Sequence, residues 1–187
     1  MEYGIGIIVA IGMLVIGPLI YIANGRARKE ENNQRNEYLD KHGVVITKEY
    51  EYTNAMNSKH IRVVIDERNK NLYISKRYDG FDKIPFSDIL GAEICADNRV
   101  LDNFGNVLAG GIIAGTAGAI AGAMSATPAV STYKVLVYTK QISAPKISIN
   151  LIDTTTEKDS IDYTSAVRFA ENVFATIKAI VYLQTAQ

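Results

Sequence analysis

The sequence predicts a mainly β protein with α additions. Its parts are an N-terminal transmembrane helix, an antiparallel β domain capped by a C-terminal helix, and a Gly/Ala-rich helical hairpin inserted into that domain. Three observations carry this prediction. Residues 3–23 hold no charged side chain. Apolar residues alternate at period two across 61–65, 133–137 and 147–151, then change to spacings of four and three from Tyr163 onward. Between the strand sets lies a second uncharged run, Asn103 to Tyr133, crowded with glycine and alanine. The expected divisions are an anchor over 1–23, a polar spacer or helix over 24–43, and a β domain over 44–187 interrupted by 103–131.

The anchor comes first. Tyr3 to Ala23 gives 21 residues without charge, and at about 1.5 Å of rise per residue such a helix crosses a hydrocarbon layer of about 30 Å. A cleaved signal peptide would need a basic start and a small-residue cleavage site. The start carries Glu2, and no A-x-A site follows. Tyr3 and Tyr21 sit where interfacial aromatics sit. Arg26, Arg28 and Lys29 follow directly, and the positive-inside rule then places the C-terminal side in the cytoplasm and the amino terminus outside. The expectation is a single-pass protein of the cell membrane in which these three basic residues set topology or meet lipid headgroups.

Charge and cysteine content narrow the partners. Lys plus Arg and Asp plus Glu balance at 20 each, so nothing supports a general electrostatic grip on nucleic acid. The lone Cys95 rules out an internal disulfide and any CxxC pattern.

Residues 24–43 are rich in Glu, Asn, Arg and Lys and end at Gly43, as a juxtamembrane helix or a tether would. A weak strand follows over Val44 to Tyr52. Ile61, Val63 and Ile65 then alternate against Arg62 and Asp66, and Leu72 and Ile74 continue beyond a polar ERNKN turn, which predicts a hairpin. Two short extended pieces are expected near 83–86 and 89–96, with Pro85 marking an edge or a bend. Glu93, Asp97 and Asp102 lack the spacing of a calcium loop and read as part of a solvated loop.

Beyond the glycine run, Tyr133, Val135 and Val137 share one side of a strand. Ile147, Ile149 and Leu151 share one side of the next, which makes a second hairpin. Asp159 and Ser160 are natural N-caps for a last helix with an apolar stripe of Tyr163, Val167, Ala170, Phe174, Ile177 and Val181.

Five to seven short strands closed by one helix is the element order of a pleckstrin-homology-like barrel. The likeness sharpens at Ile84 to Ile94, IPFSDILGAEI, which resembles the I-x-[FY]-x-D-I phrase of bacterial PH-like and GRAM-like domains. In some of these a glycine-rich apolar stretch follows that phrase, as it does here. The resemblance implies a barrel over about 44–184. It does not carry over phosphoinositide binding, because Lys48, Lys59 and Arg62 are too sparse to match the basic hairpin of the lipid-binding members.

Catalytic chemistry is sought without success. Gly110 to Gly115 has the glycine spacing of a phosphate-binding loop, but Thr116 stands where the lysine should be. His42 and His60 belong to no H-E-x-x-H, and one cysteine completes no zinc site. Ser87 and Asp88 read as turn formers. The expectation is a protein that is no enzyme, with no catalytic, cofactor-binding or metal-binding residues.

The glycine run remains. Gly111, Gly115, Gly118 and Gly122 recur at spacings of four, three and four, which on a helix makes one smooth stripe for close backbone packing. Each interior glycine costs a helix about 0.8–1 kcal/mol against alanine, so tight packing must offset it. A single membrane crossing would separate the strands on either side. A hairpin of two short helices, turning near 115–118 and entering the membrane partway or packing beside the anchor, avoids this, with a buried or oligomer-forming helix and a disordered loop as the alternatives. The expected function is a membrane-anchored scaffold or interaction module that contacts membrane lipids and self-associates through these glycines as a homo-oligomer, with an unidentified protein partner also open. The competing expectation is a membrane-perturbing, pore-forming effector acting through the oligomerised hairpin.

Overall fold

A computed structural model describes residues 29–54, 59–75, 80–103 and 128–186. The chain divides into two compact units, 1–43 with 78–80, and 44–77 with 81–187. In the first unit residues 29–41 form a helix, α1. Arg35 pairs with Glu31 one turn back at 2.7 Å, and the His42 ring stacks on Tyr38 with centroids 4.0 Å apart. Gly43 ends the turn at φ 61°, a left-handed conformation that costs glycine nothing.

The second unit is built from two antiparallel sheets. β1 (Lys48–Asn54), β2 (Lys59–Asp66), β3 (Asn71–Ser75) and β4 (Phe81–Pro85) form a meander, each strand paired with the next. Ile61, Val63, Ile65, Leu72, Ile74 and Ile84 point into the core, as strict alternation requires. On the opposite face Arg62 pairs with Glu49, its diagonal neighbour on β1, and lies 3.7 Å from Glu51, its direct register partner. Arg62 and Asp66 occupy the predicted polar face, yet both are buried.

The second sheet runs β6-β5-β8-β9, from β5 (Ile89–Ala96), β6 (Arg99–Asn103), β8 (Tyr133–Thr139) and β9 (Lys146–Ile152). β7 (Ala129–Val130) and β10 (Thr156–Glu157) form a separate two-stranded pair. Tyr133, Val135 and Val137 line the core together with Ile149 and Leu151. A register shift opposite Tyr133 and Lys134 lets Leu151 and Ile152 both turn inward, whereas Ile147 is only half-buried.

The helix α2, Ile161–Thr185, lies chiefly against β5 and β1. Ser160 caps it, its hydroxyl accepting the Tyr163 N–H at 3.2 Å. The buried stripe is Ala166, Phe169, Ala170, Val173, Phe174, Ile177, Ile180 and Val181. It is wider than the predicted one and is rotated from it, leaving Tyr163 and Val167 at its margin. Phe169 meets Tyr52 of β1 at 5.8 Å between centroids, and the Tyr50 hydroxyl bonds the Thr176 hydroxyl at 2.6 Å.

The expected closed barrel is not present among the described residues. Two separate four-stranded sheets enclose the core with α2. Pro85 has no N–H to donate, and residues Phe86–Asp88 wind into a 3-10 turn, so no ladder carries across from β4 to β5. A further correction concerns β6, which was expected as a solvated loop. Asp97 and Asn98 adopt φ 46° and 62°, the two positive dihedrals of a tight hairpin turn, and fold Arg99–Asn103 back on β5. Among the described residues no helix is long and apolar enough to cross a membrane. The anchor expected over 1–23 and the hairpin expected within 103–131 fall mostly outside those residues.

Candidate interaction site at the glycine-rich insertion

The described structure defines both flanks of the glycine run. β6 leaves the sheet at Asn103, opposite Glu93 of β5. β8 begins at Tyr133, opposite Ala96 on the other side of the same strand. With strands about 4.8 Å apart and residues about 3.3 Å apart along them, departure and return lie on the order of 10 Å from each other in each direction. The excursion therefore starts and ends on one sheet. A single membrane crossing by residues 104–127 would put β5 and β8 on opposite sides of the bilayer, which is incompatible with their pairing from Ile89 to Ala96.

Asp97 fixes the point of return. Its Oδ1 accepts the Ser131 N–H at 2.8 Å and the Thr132 N–H at 3.0 Å, while its own N–H donates to the Thr132 carbonyl at 3.0 Å. The Lys158 N–H donates to the Pro128 carbonyl at 3.0 Å, and β7 pairs with β10 just before the clamp. Below it the Thr132 and Tyr133 hydroxyls are buried without a hydrogen-bond partner. Burial raises the Tyr133 hydroxyl well above the ordinary phenol range, with Tyr163 and Glu171 adding to the rise. Tyr163 stands edge-on to it at 5.9 Å and is likewise raised, by burial first and Asp97 second. Both phenols stay protonated at ordinary pH and supply no phenolate.

Burial pushes the Cys95 thiol up, with Glu93 adding to it, which is the reverse of an activated thiolate. The Ser87 hydroxyl donates to the adjacent Asp88 at 3.3 Å, within the 3-10 turn. No group of three or more His, Cys, Asp or Glu side chains is placed to hold a metal ion among the described residues. Of the residues singled out from sequence, Lys29 is exposed at the start of the described part of α1. Arg26, Arg28, Gly111, Gly115, Gly118 and Gly122 lie outside the described residues. The Asp97 clamp was missed, although the Asp-Asn pair that builds its turn was a readable signal.

Residues 48–157 match the model of glycine zipper-containing PH domains. The chain belongs to this family. Searches of curated proteins and of solved structures give no match. The match opens on the first residue of β1 and closes on the last of β10, so both sheets and the insertion belong to the PH domain as the family defines it. The repeat of Gly111, Gly115, Gly118 and Gly122 lies in the sequence between β6 and β7, inside the matched span. A PH domain carrying such a zipper suggests a non-enzymatic interaction module.

Proposed function

We propose that this PH domain protein is a membrane-anchored scaffold whose glycine zipper self-associates at or within the bilayer. Residues 1–23 form the anchor. Arg26, Arg28 and Lys29 hold its cytoplasmic end, and the two sheets with α2 are the cytoplasmic body. The observation that carries this reading is the pairing of β5 with β8 across the insertion. It requires residues 104–127 to return to the sheet they leave. Two glycine-lined arms then present smooth faces on which backbones approach closely, which is how small residues drive helix association in lipid. Asp97 and the β7–β10 pair support the reading by giving the zipper a fixed base.

The test is energy transfer between donor- and acceptor-labelled full-length copies in vesicles, compared with Gly111→Leu/Gly115→Leu. The expected result is transfer in the wild type and its loss in the double variant, with vesicle association intact. Unchanged transfer in the double variant would falsify the zipper's role.

A further inference from the structure

The buried face of α1 differs in kind from that of α2. Arg35 and Leu39 are buried, Tyr38 is half-buried beside them, and Glu31 and Asn32 lie about one turn back on the same side. Apart from Tyr38 and Leu39 this face is polar. Arg35 pairs with Glu31 at 2.7 Å, and in a buried pair the mutual attraction does little more than offset the loss of water. The Asn32 Oδ1 is buried without a hydrogen-bond partner, a penalty that water would relieve if the face opened. Leu39 does not belong to the core that joins the two sheets to α2.

Tyr38 meets the chain again at Gly80. A Cβ placed on Gly80 would stand 2.9 Å from Cδ2 and Cε2 of the Tyr38 ring and 3.5 Å from its Cγ, too close for any side chain while the ring stays where it is. Gly80 also holds φ 68°, so glycine suits the position on two separate counts. Gly43 supplies the contrast. It has φ 61° but open space where its Cβ would be, so it serves the turn alone, whereas Gly80 also makes room for a ring.

Both sides of this contact are held. Phe81, the next residue, opens β4, pairs with Ser75 and stands edge-on to Tyr73 at 6.3 Å between centroids. On α1 the His42 ring stacks on Tyr38 at 4.0 Å, and its Nδ1 donates to the Tyr38 carbonyl at 2.7 Å. Gly80 accordingly groups with α1 rather than with the sheets.

We infer that α1 is a detachable strap, and that the Tyr38 ring seated on Gly80 is its catch. Closed, the strap ties α1 to the residue that leads into β4. Open, it frees α1 while the sheets and α2 stay folded. An isolated helix of about a dozen residues is marginal in water, so an opened α1 loses the protection of its amides. The strap goes beyond the scaffold reading and stands whether or not the zipper self-associates.

The experiment is amide hydrogen exchange of the full-length protein in phosphatidylcholine vesicles, read by mass spectrometry over residues 35–43 and over β5 and β8. Tyr38→Ala and Gly80→Ala are each expected to speed exchange in 35–43 several-fold and to leave β5 and β8 unchanged, although alanine is the better helix former at position 38. In the Tyr38→Ala background, Gly80→Ala should add nothing further, because the ring it would displace is gone. Unchanged exchange over 35–43 in Tyr38→Ala overturns the catch. Further acceleration by Gly80→Ala in that background assigns the effect to backbone strain at position 80, and overturns it as well. Acceleration of β5 and β8 together with 35–43 shows that α1 is an integral part of the fold and overturns the strap.

Discussion

Two aspartates perform the same task at the two discontinuities of the PH domain, in opposite surroundings. Asp66 closes the first sheet, gathering the entering chain at Val45 and the β2–β3 turn at Asn69. Asp97 closes the second, gathering the return from the glycine zipper at Ser131 and Thr132. Asp66 is wholly buried, whereas Asp97 is exposed. The first clamp lies within a continuous meander, and the second lies where the chain returns from the glycine-rich run. Asp97 holds Ser131 and Thr132 by hydrogen bonds, while Val130 and Tyr133 on either side of them are buried in the core.

The contrast predicts the larger loss at Asp66. Replacing it with Ala leaves several N–H donors without their anionic acceptor, at about 2 to 3 kcal/mol for a charge-assisted set, read from denaturant unfolding. Its pH behaviour follows from its environment. Burial acts to raise the Asp66 carboxyl, but the Asn69, Val45 and Arg68 donors outweigh it and hold the folded value below the ordinary one. The unfolded chain then binds the proton more tightly than the folded one. The stabilisation is complete above about pH 4 and is lost as pH falls through the folded value. Asp66→Asn should remove this share of the acid limb, and an unchanged limb would show that the carboxylate is not the group responsible.

Asp97 should cost less, and in a separable way. Asp97→Gly removes the two accepted bonds but suits φ 46°, for an expected loss of about 0.5–1.5 kcal/mol. Asp97→Ala adds about 1 kcal/mol of left-handed strain. Faster hydrogen exchange at the Ser131 and Thr132 amides, with the Val45 amide unaffected, would localise the damage to the zipper's base. Faster exchange at all three would show that the two clamps are coupled.

The same division explains what the sequence disclosed. Ile61, Val63, Ile65, Leu72 and Ile74 announce the first sheet because neighbouring strands pair, and period two alone sorts their faces. Period two does not report burial, so Arg62 and Asp66 looked solvated until Glu49 and the turn donors were seen to satisfy them. β6 escaped notice because its few residues include an exposed Val100 and a half-buried Leu101, which give no alternation. The extra width of the α2 stripe depends on Ala166, Phe169, Val173 and Ile180, whose burial is set by the two sheets it bridges. At the zipper, glycine spacing showed the stripe. The pairing of β5 with β8 joins residues on either side of the insertion, and no local pattern in the sequence reports it.

The smallest effect concerns the outer face of the second sheet. Tyr138 on β8 donates to Glu93 on β5 at 2.7 Å, a diagonal pair one step from the direct register. This bond and partial burial push the phenol up to about 12. A phenol raised in the folded state contributes stability that is fully present below its unfolded value near 10 and is lost as pH climbs to about 12. Tyr138→Phe should cost about 0.5–1.5 kcal/mol at neutral pH. Glu93→Gln should return one tyrosine ionisation toward the ordinary range, read as the ultraviolet difference absorbance of phenolate on alkaline titration. If the titration is unchanged, Glu93 does not hold Tyr138. The second sheet would then rely on its backbone ladder and its core to keep β5 and β8 together.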